Sequence, residues 1–176
     1  SRTENTDKFW ATIGGMGLTG IILSAKFKLK NIETAYIRQE SIKAQNLDEI
    51  FKLFEESESW TYNVAWIDCL QTGKNIGRSI LMRGEHAFKH ELPKKLQQNP
   101  LRLKQKFIPK VPFYFPDFML NKWSVRLFNY LYFNKQKRRE IKNFVDYETF
   151  FYPLDVVKDW NKIYGKKGFI QYQMVI

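Results

Sequence analysis

The chain has 176 residues, 44% hydrophobic and 16% aromatic, so a packed core is expected and intrinsic disorder is excluded. Twenty-nine Lys and Arg against eighteen Asp and Glu leave a net charge of +11, which suits nucleic acid, an anionic membrane surface or a phosphorylated substrate as partner. A single cysteine, Cys69, excludes an internal disulfide, and neither a signal peptide nor a run of about 18 apolar residues is visible.

The first element in chain order is "NTDKFWATIG", read as a short helix with Asn5 or Thr6 as N-cap and Gly14 near its end. "GGMGLTG" at 14–20 contains the letters of a G-x-G-x-x-G dinucleotide motif. That motif must follow a strand and open a helix. Here a helix precedes it, and "IILSAKFKLK" follows, where Ala25, Phe27 and Leu29 alternate with Lys26, Lys28 and Lys30 as in a strand. The glycines then serve either a tight turn that needs positive φ or a backbone that passes close to a ligand.

"ETAYIRQESIKA" reads as a second strand, and Asn46 caps a helix with Leu47, Ile50, Phe51 and Phe54 on one face. "WTYNVAWIDCL" follows as a strand with Trp60, Tyr62, Val64 and Trp66 on one face, and "QTGKNIG" links it to "RSILMRG" as an antiparallel pair. Residues 85–117 are basic and broken by five prolines, Pro93, Pro100 and Pro109 among them, and are expected to form a long loop with one short helix. Residues 118–133 are apolar nearly all round, which fits a buried or interdomain helix or a face that meets a membrane. "NFVDYETFFYPLD" is expected to be a strand ending at Pro153, and "VVKDWNKIYG" a short amphipathic helix capped by Gly165. "GFIQYQMVI" alternates as a last strand, where Gln171 and Gln173 lie on a face that must supply hydrogen-bond partners from the protein or a ligand. Because the chain stops inside this apolar strand, it is expected to be a fragment of a longer protein.

Other sites fail on inspection. His86 and His90 stand at i and i+4, but Ala87 occupies the glutamate position of a zincin motif and no third ligand is near, so no metal is expected. Cys69 lacks a hydrolase context and is read as structural, and no nucleophile elbow or Walker loop is present. No residue is assigned as catalytic.

"DKFWATIGGMGLTGIILSAKFKL" at 7–29, "AWIDC" at 65–69, "GRSILMRG" at 77–84 and "FFYPLDVVKDWNKIYGKKGFIQYQMVI" at 150–176 together resemble the FAD-linked oxidases of the vanillyl-alcohol oxidase (PCMH-type) superfamily, most closely the decaprenylphosphoryl-β-D-ribose 2′-oxidase branch. The resemblance implies an α+β fold, an antiparallel sheet with flanking helices, in which residues 1–30 are the C-terminal edge of an FAD-binding domain and 31–176 a truncated substrate domain. It implies FAD as cofactor, with Ile21 and Ile22 as main-chain contacts and Gly14, Gly15, Gly17, Thr19 and Gly20 shaping the approach. It places Trp66, Phe151, Gln171 and Gln173 along the substrate pocket, with Pro153 to Gly168 as a mobile loop over it. Phe151 and Tyr152 stand where mycobacterial members carry Tyr followed by His.

The implied activity is oxidation of a secondary hydroxyl on a polyprenyl-phosphate-linked pentose by hydride transfer to flavin, with the fragment inactive alone. An aldonolactone or alditol oxidase of the same superfamily, and a non-catalytic basic module binding anionic membrane or nucleic acid, stay open as alternatives. Expected partners are a lipid-linked or small sugar, a short-chain reductase and a peripheral membrane contact, with no nucleic acid. The expected location is cytoplasmic or peripheral to the membrane.

Overall fold

The computed structural model describes residues 1–103 and 106–169. Its contacts divide the chain into two units, Ser1–Asn31 and Ile32–Ile176.

The first unit has one regular element, helix α1 (Thr6–Thr12), entered through Asn5 with φ 52° and left through Ile13. None of its residues is buried. The expected strand over Ile21–Lys30 does not form among the described residues, and Leu23 is 93% exposed. The alternation specifies two faces, but a ladder also needs a partner strand, and α1 cannot provide one.

The second unit is α+β, with a four-stranded antiparallel sheet in the order β2-β3-β1-β4. β1 is Tyr36–Ala44, β2 Tyr62–Ile67, β3 Ser79–His86 and β4 Glu140–Asp146. Helix α2 (Leu47–Glu55) crosses from β1 to β2, starting where the Asn46 side chain accepts a hydrogen bond of 3.0 Å from the Glu49 N–H. Asn46→Ala is expected to cost about 1 kcal/mol, read as a lower midpoint in urea denaturation.

One sheet face carries Ile42, Ala44 and Leu81, on which α2 packs Ile50 and Leu53. Leu53 therefore takes the buried place expected of Phe51, which is 58% exposed. Further along the same face, Tyr36 and Phe144 pack with Ala87, Leu92 and Leu96. That brings down the proline-broken segment, whose described residues include a turn at Lys89–Glu91, helix α3 (Lys94–Gln97) and a bridge of Lys110 to Lys158. Between the two apolar clusters lies Glu40, whose Oε2 accepts from Arg83 Nε and Nη2 at 3.0 and 2.7 Å while Lys142 holds Oε1 at 2.8 Å. Burial would raise this carboxyl, but the two cations outweigh it and hold its pKa below the usual range. Arg83 and Arg38 in turn lie over the Trp60 ring, so Trp60 sits on this face and not with Tyr62, Val64 and Trp66.

Elsewhere two expectations are corrected and one open choice is narrowed. The stretch after β4 is not strand to Pro153, because the Asp146 side chain accepts from the Thr149 N–H and starts helix α5 (Tyr147–Phe151). The apolar helix, α4 (Lys122–Lys135), buries only Asn129 and Phe133 and leaves most of its large side chains in solvent. The expected helix near Val156 is a tighter turn over Trp160–Tyr164, ended by Gly165 at φ 72° as anticipated.

Candidate functional site

The second sheet face is the one the substrate-pocket expectation concerns. Pairing register sets its rows: Tyr62, Gly84, Gln39 and Asn143 lie side by side, and Val64, Met82, Ser41 and Ile141 form the next row. Trp66, Ile80 and Lys43 follow in a third.

Both ends of this face are closed by aromatic groups. At one end α5 lays Phe150 near Gly84 and Ile37, and Phe151 meets Tyr62 edge-on with ring centroids 4.9 Å apart. His86 completes the group, its ring 5.7 Å from Tyr62. At the other end α4 brings Tyr132 to 4.7 Å from Trp66, with Phe128 against Tyr132. Lys43 Nζ lies 4.0 Å from the Phe133 ring centroid and donates to the Gln136 carbonyl at 3.0 Å. Burial, then the nearby Arg78 charge, pushes the Lys43 pKa down.

Between these ends the face is open. Val64 is 45% exposed, Asn143 is exposed, Met82 is half-buried, and Gln39 donates to Ser41 Oγ at 2.7 Å. The result is a shallow floor with a polar strip across it and flat apolar walls. Such a floor can lie against a planar ring or sugar on one side and orient it by hydrogen bonds, whereas Lys43 is committed to a carbonyl. Trp66 and Phe151 thus fall at opposite ends of one surface, both through contacts with β2 or its neighbours. Gln171 and Gln173, and the expected last strand, lie outside the described residues.

Sequence reasoning missed Gln39, Ser41 and Asn143, although the alternation in "YIRQESIKA" already separates Gln39 and Ser41 from the buried set Glu40, Ile42 and Ala44. It also missed Asp68. This carboxylate, just past β2, has a fully buried side chain and accepts from Arg78 Nη2 at 2.6 Å, Gln71 Nε2 at 2.8 Å, the Leu70 N–H at 3.2 Å and Asn129 Nδ2 at 2.7 Å. Through Asn129 it fixes α4, and so Tyr132, against the end of the sheet. Next to it, Cys69 is exposed in a turn and not directed into the core as its strand pattern suggested.

The two histidines do not share a helix, since His86 is on β3 and His90 in the following turn. The segment expected to cover the pocket is tied to residues 109–117: the Val111 N–H donates to the Lys158 carbonyl at 3.0 Å, the Phe115 N–H to Lys162 at 2.9 Å, and Lys167 meets Asp117 at 3.1 Å.

In the first unit Gly14, Gly17 and Gly20 have φ of 77°, 79° and 125°, and Met16 also has positive φ. A Cβ added to any of the three glycines would meet nothing within 4 Å, so the turn conformation is what requires them inside this unit. Turn bonds hold the segment as far as Gly20, whose N–H donates to Gly17 at 3.3 Å. Beyond it the main-chain groups of Ile21 and Ile22 have no partner among the described residues.

Comparison with curated proteins agrees with the expected family. The chain is 35% identical to decaprenylphosphoryl-beta-D-ribose oxidase of Mycolicibacterium smegmatis over an alignment of 176 residues that takes in 98% of the chain. It is a relative of that oxidase. It spans 38% of the oxidase's length, so the relationship concerns one part of a longer enzyme. A second relative, from Streptomyces coelicolor and described as "Uncharacterized protein in mprA 5'region", is 34% identical over 99 residues, 56% of this chain and 27% of that protein. No family model matches the chain.

Proposed function

We propose that the chain is the sheet-bearing substrate region of an FAD-dependent oxidoreductase that oxidises a secondary hydroxyl on a sugar, a polyprenyl-phosphate-linked pentose. The observation that carries this reading is the identity to decaprenylphosphoryl-beta-D-ribose oxidase over 98% of the chain. The open floor between Trp66 and Phe151, with Gln39, Ser41 and Asn143 across it, supports the reading because it suits a flat ligand held by hydrogen bonds.

Ile21 and Ile22 would meet the cofactor through main-chain groups, with Gly14, Gly15, Gly17, Thr19 and Gly20 setting the turn that presents them. FAD, when bound by the full-length protein, supplies the hydride acceptor that turns the carbinol into a ketone. The work of these residues is orientation and exclusion of water, since a hydroxyl carbon must be held within van der Waals reach of its acceptor to react. A short-chain reductase as partner belongs to the same proposal.

The test uses the full-length protein. Purified, it should carry a flavin absorbance band that bleaches anaerobically when a polyprenyl-phosphate pentose is added. A colourless protein sinks the flavin reading. A yellow protein bleached by an aldonolactone or alditol, and not by the lipid-linked pentose, keeps the chemistry and moves the substrate.

A further inference from the structure

We propose that the outward face of α4 docks the protein on a bilayer containing anionic phospholipid. The helix buries Phe133 and Asn129 and shows solvent a second, outward apolar face. Its inward side holds Asn129, bonded to Asp68, while Trp123, Leu127 and Leu131 form an i, i+4, i+8 stripe that is 76%, 59% and 58% exposed. Tyr130 borders the stripe, and the turn before the helix leaves Phe118 in solvent as well.

Charge selects the occupant. Residues 118–139 contain six cations, Lys122, Arg126, Lys135, Lys137, Arg138 and Arg139, and no acidic residue. Against a second copy of this face, Lys122, Arg126 and Lys135 of α4 would meet the same three cations, whereas Arg139 is already paired with Glu49 at 3.8 Å. Against a bilayer with anionic headgroups, they complement it, and the apolar stripe enters the boundary between headgroup and acyl chain where Trp and Tyr are favoured. Arg126 lies 5.9 Å from the Trp123 ring, so cation and aromatic group occur together on the helix. No described helix is long and apolar enough to cross a membrane, and the contact is therefore one that lies on the surface. The inference stands independently of the sugar substrate.

The experiment sediments the full-length protein with vesicles of phosphatidylcholine alone and of phosphatidylcholine with one third phosphatidylglycerol. Binding to the anionic vesicles should be about tenfold tighter or more and should fall with added salt. The combined change Trp123→Ser, Leu127→Ser and Leu131→Ser should abolish it. Because that variant leans on folding, a second measurement uses nearly intact protein: brominated lipid should quench tryptophan fluorescence in the natural chain and distinctly less in Trp123→Phe. Equal binding to both vesicles, or quenching unchanged by Trp123→Phe, overturns the proposal. In a Cys69→Ser background, Leu131→Cys should react freely with a thiol reagent in lipid-free protein; protection there, or loss of a protein dimer in the serine variant, would show that protein already covers the face and would also overturn it.

Discussion

Asp68→Asn is expected to destabilise the fold by about 3–5 kcal/mol. The carboxylate side chain is fully buried and Arg78 nearly so, so the substitution removes the charge while leaving the guanidinium in place without it. The amide oxygen can still accept from two donors, but its N–H₂ takes the place of an oxygen on which two others converge, either Leu70 and Asn129 or Gln71 and Arg78. Acid should mimic the change in the natural chain. Burial would raise the Asp68 carboxyl, yet Arg78, Gln71, the Leu70 N–H and Asn129 together bring its pKa below the ordinary value. A group depressed in the folded state contributes stability that is complete above its unfolded pKa of about 4 and disappears as pH falls through the folded value. Urea midpoints should therefore drop on acidification in the natural chain, and the Asn variant, already weakened at neutral pH, should have a flatter acid limb. Because Asn129 is the link to α4, hydrogen exchange across 122–135 should speed up in the same variant. If the midpoint at neutral pH moves by less than about 1 kcal/mol of stability, the buried pair is not what holds this end of the sheet.

How much of this was visible in the sequence depended on whether the signal was local. Asn46, the period of α2 and the alternation of "YIRQESIKA" and "RSILMRG" are local, and each produced the element expected of it. Gly165 ended its turn as its identity suggests. The failures share one cause, which is that pattern gives an element's faces without its neighbours. Ile21–Lys30 has the alternation of a strand and forms none among the described residues. "NFVDYETFFYP" is rich in strand formers, yet Asp146 caps a helix within it, because Asp and Thr three apart satisfy the first N–H groups of a helix wherever the chain turns. For α4 composition left a buried or an exposed helix open, and the exposed one is seen; it is anchored by Phe133 and by Asn129 on Asp68, a pair 61 residues apart that no window could join. The site followed the same rule. Trp66 and Phe151 entered through resemblance, while the strip of Gln39, Ser41 and Asn143 emerges only when β1 and β4 are placed in register.

Gly84→Val is expected to dismantle the α5 end of the candidate site, at a cost at or above the upper end of the roughly 1–3 kcal/mol typical of overpacked cores. Gly84 pairs with Gln39 on one side and Tyr62 on the other, so the backbone of β3 cannot move aside without breaking two ladders. Even a Cβ alone would stand 2.5 Å from Ile37 Cγ2 and 3.0 Å from the Phe150 ring. Ile37 is fully buried and has nowhere to go, whereas Phe150 sits on the short helix α5 and is the group that must yield. Its displacement carries Phe151 off Tyr62, opening the aromatic wall at that end of the floor. Shortening Phe150 to Ala makes room for the added methyls, so Gly84→Val and Phe150→Ala together should be less destabilising than the sum of the two alone, with a coupling of about 0.5–3 kcal/mol in a double-mutant cycle. On the proposed function, the valine variant of the full-length protein should raise KM for the sugar more than it lowers the flavin content, because the glycine turn proposed to meet the cofactor is untouched. A cycle with no coupling would mean that Phe150 does not bear the clash, and that α5 is held in place by something other than its seat over Gly84.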